Sequence, residues 1–223
     1  MNGVIGEILP LALGVAISPV PIIAAILMLL SPKAKGTSVG FLLGWVAGIV
    51  VAVVVFTLLA SVLSESDSDT SKPIAGTVKI VLGLLLLLLA AKQWRSRPTG
   101  GTEPALPRWM GAIDTMTPAR ALALGFLLSG LNPKNLLMAA AAGLAIGSAD
   151  LRVNGSIATI AVFTVIAAST VAVPVIAYLL AAARMASPLE ALRTWLVHNN
   201  STVMAVLLLV IGVVMVGKGI GSF

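Results

Sequence analysis

The chain has 223 residues, 59% of them hydrophobic and 10% charged, with a net charge of +6. A soluble domain carries about 45–50% apolar and about 25% charged residues, so this chain has too much apolar surface to hide and too few charges to cover itself in water. Its solvent is expected to be lipid, which excludes a cytosolic enzyme, a secreted domain and a nucleic-acid binder as first readings.

There is no cysteine and only one histidine, His198. Disulfides, thiolate metal sites, thiol relays and histidine clusters are excluded, and no cofactor or metal is expected. The basic residues lie between long apolar runs, as they do in the loops of a membrane protein.

A spanning helix needs about 20 mostly apolar residues, and six stretches qualify. The first, residues 5–30, lacks a basic leader and is interrupted by prolines, so it reads as a retained span rather than a cleaved signal. Ser31-Pro32 reads as a helix N-cap followed by proline at the first helical position. The second span, residues 37–63, carries Gly40, Gly44 and Gly48 as a small-residue packing face. Trp45 in this span reads as an interface anchor. An acidic loop with Glu65, Asp67 and Asp69 follows.

The third span, residues 73–91, has Lys79 near its start, placed to snorkel to the interface. Trp94 beyond it reads as a second interface anchor. Residues 92–120 form a basic loop, read as an orientation signal or, more sharply, as an attraction for anionic lipid. Within it, residues 109–116 resemble an interfacial helix, and Thr117-Pro118 reads as another N-cap.

The fourth span, residues 121–146, contains Lys134 and the small pair Gly143 and Gly147. The fifth, residues 154–183, contains Pro174, an ordinary membrane-helix kink. Ser187-Pro188-Leu189-Glu190 reads as a capping box that starts a short interfacial helix, with Leu189, Leu192, Trp195 and Leu196 on one face. The sixth span is residues 201–217.

Lysines and arginines set the orientation. The loops after spans one, three and five carry Lys33, Lys35, Lys92, Arg95, Arg97, Arg108, Arg120, Arg184 and Arg193. The other side carries Lys72, Arg152 and Lys218, with Lys79 near it. The positive-inside rule puts the first group in the cytoplasm and both termini outside an inner, cytoplasmic membrane.

The fold class expected is an all-α membrane protein of six transmembrane helices arranged as two inverted three-helix repeats. Residues 1–91 are the first repeat, 92–120 the basic cytoplasmic loop and 121–223 the second repeat. In the first helix of each half a proline element sits mid-span: Ser18-Pro19-Val20-Pro21 and Asn132-Pro133-Lys134-Asn135. Three spans per half is odd, so the second copy enters from the opposite side.

Proline removes a backbone donor and clashes with the preceding turn, so Pro19, Pro21 and Pro133 break or kink their helices. Polar backbone freed at that depth survives only where protein or a wet cavity surrounds it. Ser18, Asn132 and Asn135 add polar side chains there. Lys134 lies near the bilayer centre, where an ammonium costs at least ~2.5–3.5 kcal/mol. No carboxylate lies deep in a span, so backbone carbonyls, a water-filled cavity or a bound anion must satisfy it. The site expected for substrate is Ser18, Pro19, Pro21, Asn132, Pro133, Lys134 and Asn135. The plainer reading of Lys134 is a structural tie to carbonyls freed by Pro133.

These residues resemble a known family. Residues 107–114, the Thr117-Pro118-Ala119-Arg120-Ala121 helix start and the Asn132-Pro133-Lys134-Asn135-Leu136 element are similar to the GAP family, the glycolipid- or sulfolipid-addressing membrane proteins of actinobacteria. Ser18-Pro19-Val20-Pro21, Leu30-Ser31-Pro32-Lys33 and Gly40-Phe41-Leu42-Leu43-Gly44-Trp45 extend the resemblance to the first half. The Asn-Pro-Lys element also resembles the wider lysine-exporter superfamily, whose first-half element carries a glycine where this chain has Val20.

The resemblance implies an inner-membrane transport protein that helps move glycolipids to the cell surface. The residues themselves point to a secondary transporter of an anionic or zwitterionic solute or headgroup. The other readings are an amino-acid or small-solute exporter and a non-transporting scaffold of a lipid-export complex. No phosphate-binding Gly-x-x-x-x-Gly-Lys loop is present, and the spans lack the nucleophile-and-base set of an enzyme, so none is expected. The partners expected are membrane lipids, a small-molecule or glycolipid substrate, lipid-export machinery and a second copy of the chain.

Overall fold

The computed structural model describes residues 2–65, 71–97, 108–149 and 151–222. The acidic loop of Asp67 and Asp69 and the middle of the basic loop, residues 98–107, lie outside the described residues. All regular structure among the described residues is helical. The elements are α1 (Asn2–Ala16), α2 (Pro19–Leu29), α3 (Ala34–Glu65), α4 (Ser71–Arg95), a 3-10 helix (Arg108–Thr115), α5 (Pro118–Gly130), α6 (Pro133–Gly147) and α7 (Val153–Ile220).

Three of these helices, α3, α4 and α7, are long and apolar enough to cross a membrane, and α1 with α2 makes a fourth candidate bent by 51°. The first expected span is thus one apolar run broken in two. The fourth expected span is α5 and α6, separated at Leu131-Asn132, and each piece alone is too short to cross about 30 Å of hydrocarbon. The fifth and sixth expected spans fall within α7, which has one non-helical residue, Ala181 (φ −147°, ψ 51°).

Helix α7 folds back on itself at that residue. Val173 and Pro174 line one cavity together with Leu192 and Leu196. In a straight helix Val173 and Leu196 would lie roughly 35 Å apart.

Helix α2 is the centre of the molecule. It is apolar all round, and Ile23, Ala24, Ala25, Ile26, Met28 and Leu29 are all buried. The outer helices bury one face and leave the other bare. Leu58, Leu88, Val165 and Leu180 are 60%, 67%, 70% and 83% exposed. In water such a surface would be a liability; in hydrocarbon it is the solvated face.

The small residues pack helix on helix, as their spacing predicts. Gly40 meets Pro118, Gly44 meets Leu122 and Gly48 meets Phe126 and Ser129, so α3 and α5 run in the same direction. A methyl group on Gly44 would fall on the Leu122 carbonyl. Gly143 meets Phe56, and Gly147 meets Thr57 and Ala60, so α6 continues along the second half of α3. Gly83 meets Gly212 and Val216, and Gly219 meets Gly76 and Ile80, so α4 and the end of α7 are antiparallel.

Three local expectations are corrected. Ser31 does not cap α3; its hydroxyl donates back to the Met28 carbonyl at 2.8 Å and closes α2 instead. Ser187 does not start a helix, because the break lies upstream at Ala181 and Pro188 falls inside α7. Trp45 is not at an interface: it is fully buried and stacks on Phe41 with ring centroids 6.4 Å apart. Lys79, read as reaching the interface, pairs with Glu7 of α1 at 2.9 Å. The Thr117 cap forms as read, its hydroxyl accepting from the Arg120 N–H at 3.3 Å. Trp94 is 46% exposed, as an interface residue would be.

Candidate functional site

The site is built from two helix breaks that face each other. At the first, Ser18 is extended (φ −105°, ψ 104°) and Pro19 opens α2. In an unbroken helix the carbonyl of residue i accepts from the N–H of residue i+4. Pro19 and Pro21 have no N–H, so the carbonyls of Val15 and Ile17 lose their helical donors. The Ser18 N–H turns to the Ala16 carbonyl at 2.8 Å, which removes the donor that Gly14 would have had. Ser18 itself is buried, and its side chain makes no capping bond.

Two side chains from elsewhere reach this break, one at the freed Gly14 carbonyl and one at the Ala16 carbonyl beside the Ser18 N–H. Lys134 Nζ donates to Gly14 O at 2.6 Å. Thr170 Oγ1 donates to Ala16 O at 2.5 Å. One comes from α6 and the other from the first part of α7, so the break in α1–α2 is clamped from two sides.

The second break is capped by its own residues. Asn132 is the N-cap of α6, its side-chain oxygen accepting from the Lys134 N–H at 3.0 Å, and Pro133 occupies the first turn. Asn135 Nδ2 donates to the Leu128 carbonyl at 3.0 Å, the carbonyl an unbroken helix would have joined to Asn132. Asn135 Oδ1 is buried without a hydrogen-bond partner. Lys134 and Asn135 are 4% and 2% exposed.

The structure therefore brings together residues that lie 120 positions apart in sequence. Lys134 is tied to a carbonyl, one of the partners expected for it. The carbonyl is freed by the first break rather than by Pro133, so the tie joins α6 to the end of α1. Electrostatics favours the arrangement. The C-terminal end of α1 carries partial negative charge, and the ammonium sits against it. The ion pairs among the described residues are Glu7–Lys79 and Glu190–Arg193, so no carboxylate neutralises Lys134.

Beside the first break lies an apolar cavity of about 360 Å³ lined by Ile22, Ser169, Thr170, Val173, Pro174, Leu192 and Leu196. Thr170 joins the two features, since it lines the cavity and holds the Ala16 carbonyl.

Gly14 and Thr170 are the site residues that sequence reasoning missed. Thr170 had a signal: with Ser169 it makes a pair of adjacent hydroxyls in the middle of a mostly apolar span. Gly14 had none, because its role rests on its carbonyl. Among the described residues no group of three histidines, cysteines or carboxylates could hold a metal ion. What the arrangement offers is one buried lysine amine, one amide oxygen without a partner and a row of loosened carbonyls where the two breaks meet.

A family model described as "Sap, sulfolipid-1-addressing protein" matches residues 8–221. The chain belongs to that family. The match spans both breaks, α1–α2 and α5–α6, and the clamp that joins them. With its apolar helices this makes the chain a multi-pass membrane protein of the sulfolipid-addressing family. No curated protein and no solved structure matches the chain.

Proposed function

We propose that the chain is an inner-membrane transport protein that moves a glycolipid, or another anionic or zwitterionic solute, across the cytoplasmic membrane. The observation that carries this reading is the Lys134–Gly14 bond. It places a buried lysine amine, with no carboxylate partner among the described residues, between two broken helices in the interior of a membrane protein. Intramembrane charges and discontinuous helices in matching positions mark transport sites.

In this reading the chain crosses six times, in two inverted three-helix repeats. Helix directions support it. An inverted repeat makes span two parallel to span four and span three antiparallel to span six, which are the directions of α3 with α5 and α6, and of α4 with the end of α7. Lys134 anchors the charged group of the substrate once it leaves Gly14. Ser18, Asn132 and Asn135 supply polar contacts, and Pro19, Pro21 and Pro133 keep the helices open. The apolar cavity beside the first break suits the tail of an amphiphile.

The experiment is a surface-lipid and medium profile of a deletion strain, complemented with wild type or Lys134→Ala. A polar lipid is expected to leave the surface and accumulate inside, and only wild type is expected to restore it. An unchanged lipid surface with an amino acid building up in the cell would favour an exporter of the lysine type instead.

One observation favours a second reading, a non-transporting scaffold for a lipid-export complex. Lys134 already has a protein acceptor, as a purely structural lysine would. A scaffold would tolerate Lys134→Met and depend on the charges of the basic loop.

A further inference from the structure

Helix α4 leaves the bundle with one side packed and one side bare. Leu86 and Ala90 are buried, and Gln93 Nε2 donates to Ser201 Oγ of α7 at 3.3 Å, which fixes this end of the helix. A different strip, Leu88, Ala91, Lys92, Arg95 and Ser96, lines a surface groove of about 530 Å³. These positions follow the three-and-four spacing of a single helical face.

The strip changes chemistry along its length. Over roughly 10 Å of helical rise it passes from Leu88 and Ala91 to two cations and a hydroxyl. Beside it the Arg97 guanidinium lies 3.9 Å over the Trp94 ring. The ion pairs among the described residues involve Lys79 and Arg193, so Lys92, Arg95 and Arg97 have no carboxylate partner among those residues. The helix is apolar enough to cross a membrane over Gly76–Arg95, so these cations stand where hydrocarbon gives way to headgroups. Trp94 marks the same level.

We propose that this strip binds an anionic membrane lipid. One acyl chain lies along Leu88 and Ala91, and the lipid phosphate sits between Lys92 and Arg95. Charge complementarity selects the anion, and the Arg95 fork matches two phosphate oxygens. The apolar half selects a lipid over a free phosphate, which would leave Leu88 and Ala91 unused. The site lies on the outside of α4, apart from the two helix breaks, and does not depend on the transport reading.

The test is native mass spectrometry of the purified full chain in mixed micelles. The micelles contain equal amounts of phosphatidylglycerol and phosphatidylcholine with identical acyl chains. Each cation near a membrane surface favours an anionic lipid by about five-fold, so the pair is expected to favour phosphatidylglycerol by about 25-fold. Lys92→Gln with Arg95→Gln is expected to abolish the preference. Lys92→Arg with Arg95→Lys keeps both charges and is expected to retain most of it, which separates lost charge from lost fold. Millimolar inorganic phosphate is expected not to displace the lipid. Equal retention of the two lipids by wild type, a preference unchanged in the double glutamine variant, or displacement by inorganic phosphate would overturn the proposal.

Discussion

Lys134 carries two opposing energies, and their sizes decide what its removal does. Burying an ammonium at mid-membrane costs about 2.5–3.5 kcal/mol on insertion scales. Stranding the Gly14 carbonyl costs about 1–3 kcal/mol. Lys134→Met keeps the stem and removes the charge, so the two terms nearly cancel. Its stability is expected to stay within about 1 kcal/mol of wild type in thermal unfolding in detergent, while transport is lost. A large loss of stability would mark the lysine as a structural tie alone. At this scale the sequence was informative wherever the chemistry is local. Pro19, Pro21 and Pro133 lack an N–H in any fold, and Asn132 caps the turn it precedes. The partners were not legible. Gly14 offers only a carbonyl, and which side chain reaches it depends on packing between residues far apart in sequence.

The elements follow the same division. Helix α5 begins at Thr117-Pro118 as read, because an N-cap needs only its own first turn. Ser31 and Ser187 carry the same residue signal and fail. Ser31 finds a nearer carbonyl in α2, and the turn after Pro174 comes at Ala181, ahead of Ser187. Trp45 was misplaced because the aromatic belt is a statistical preference, whereas the neighbouring glycines draw α3 against α5 and cover the ring. That close approach yields a sharp expectation. Gly44→Ala puts a methyl group on the Leu122 carbonyl, so the two helices must separate, at a cost of about 1–3 kcal/mol. Gly6→Ala meets nothing within 4 Å and, in a helix, is expected to stabilise by about 0.5–1 kcal/mol. Thermal unfolding of the two variants should move in opposite directions.

For the whole molecule, composition alone identified the solvent, and the proline elements located the two helix breaks. The fold-back of α7 was legible as two apolar runs, although its helical pattern is nearly continuous. Orientation rests on the charges. In the six-span reading a single reporter cysteine at Ser66 labels from outside the cell and one at Ser96 does not; the reverse pattern would invert the topology. In the transport reading the two broken helices, joined through Lys134, form the site that substrate crosses. The most direct measurement uses the purified chain alone in liposomes, with a labelled anionic glycolipid on one leaflet and an imposed ion gradient. Wild type is expected to move the label to the opposite leaflet, and Lys134→Met to leave it in place. No movement by correctly inserted wild type, or equal movement by both proteins, would contradict the account.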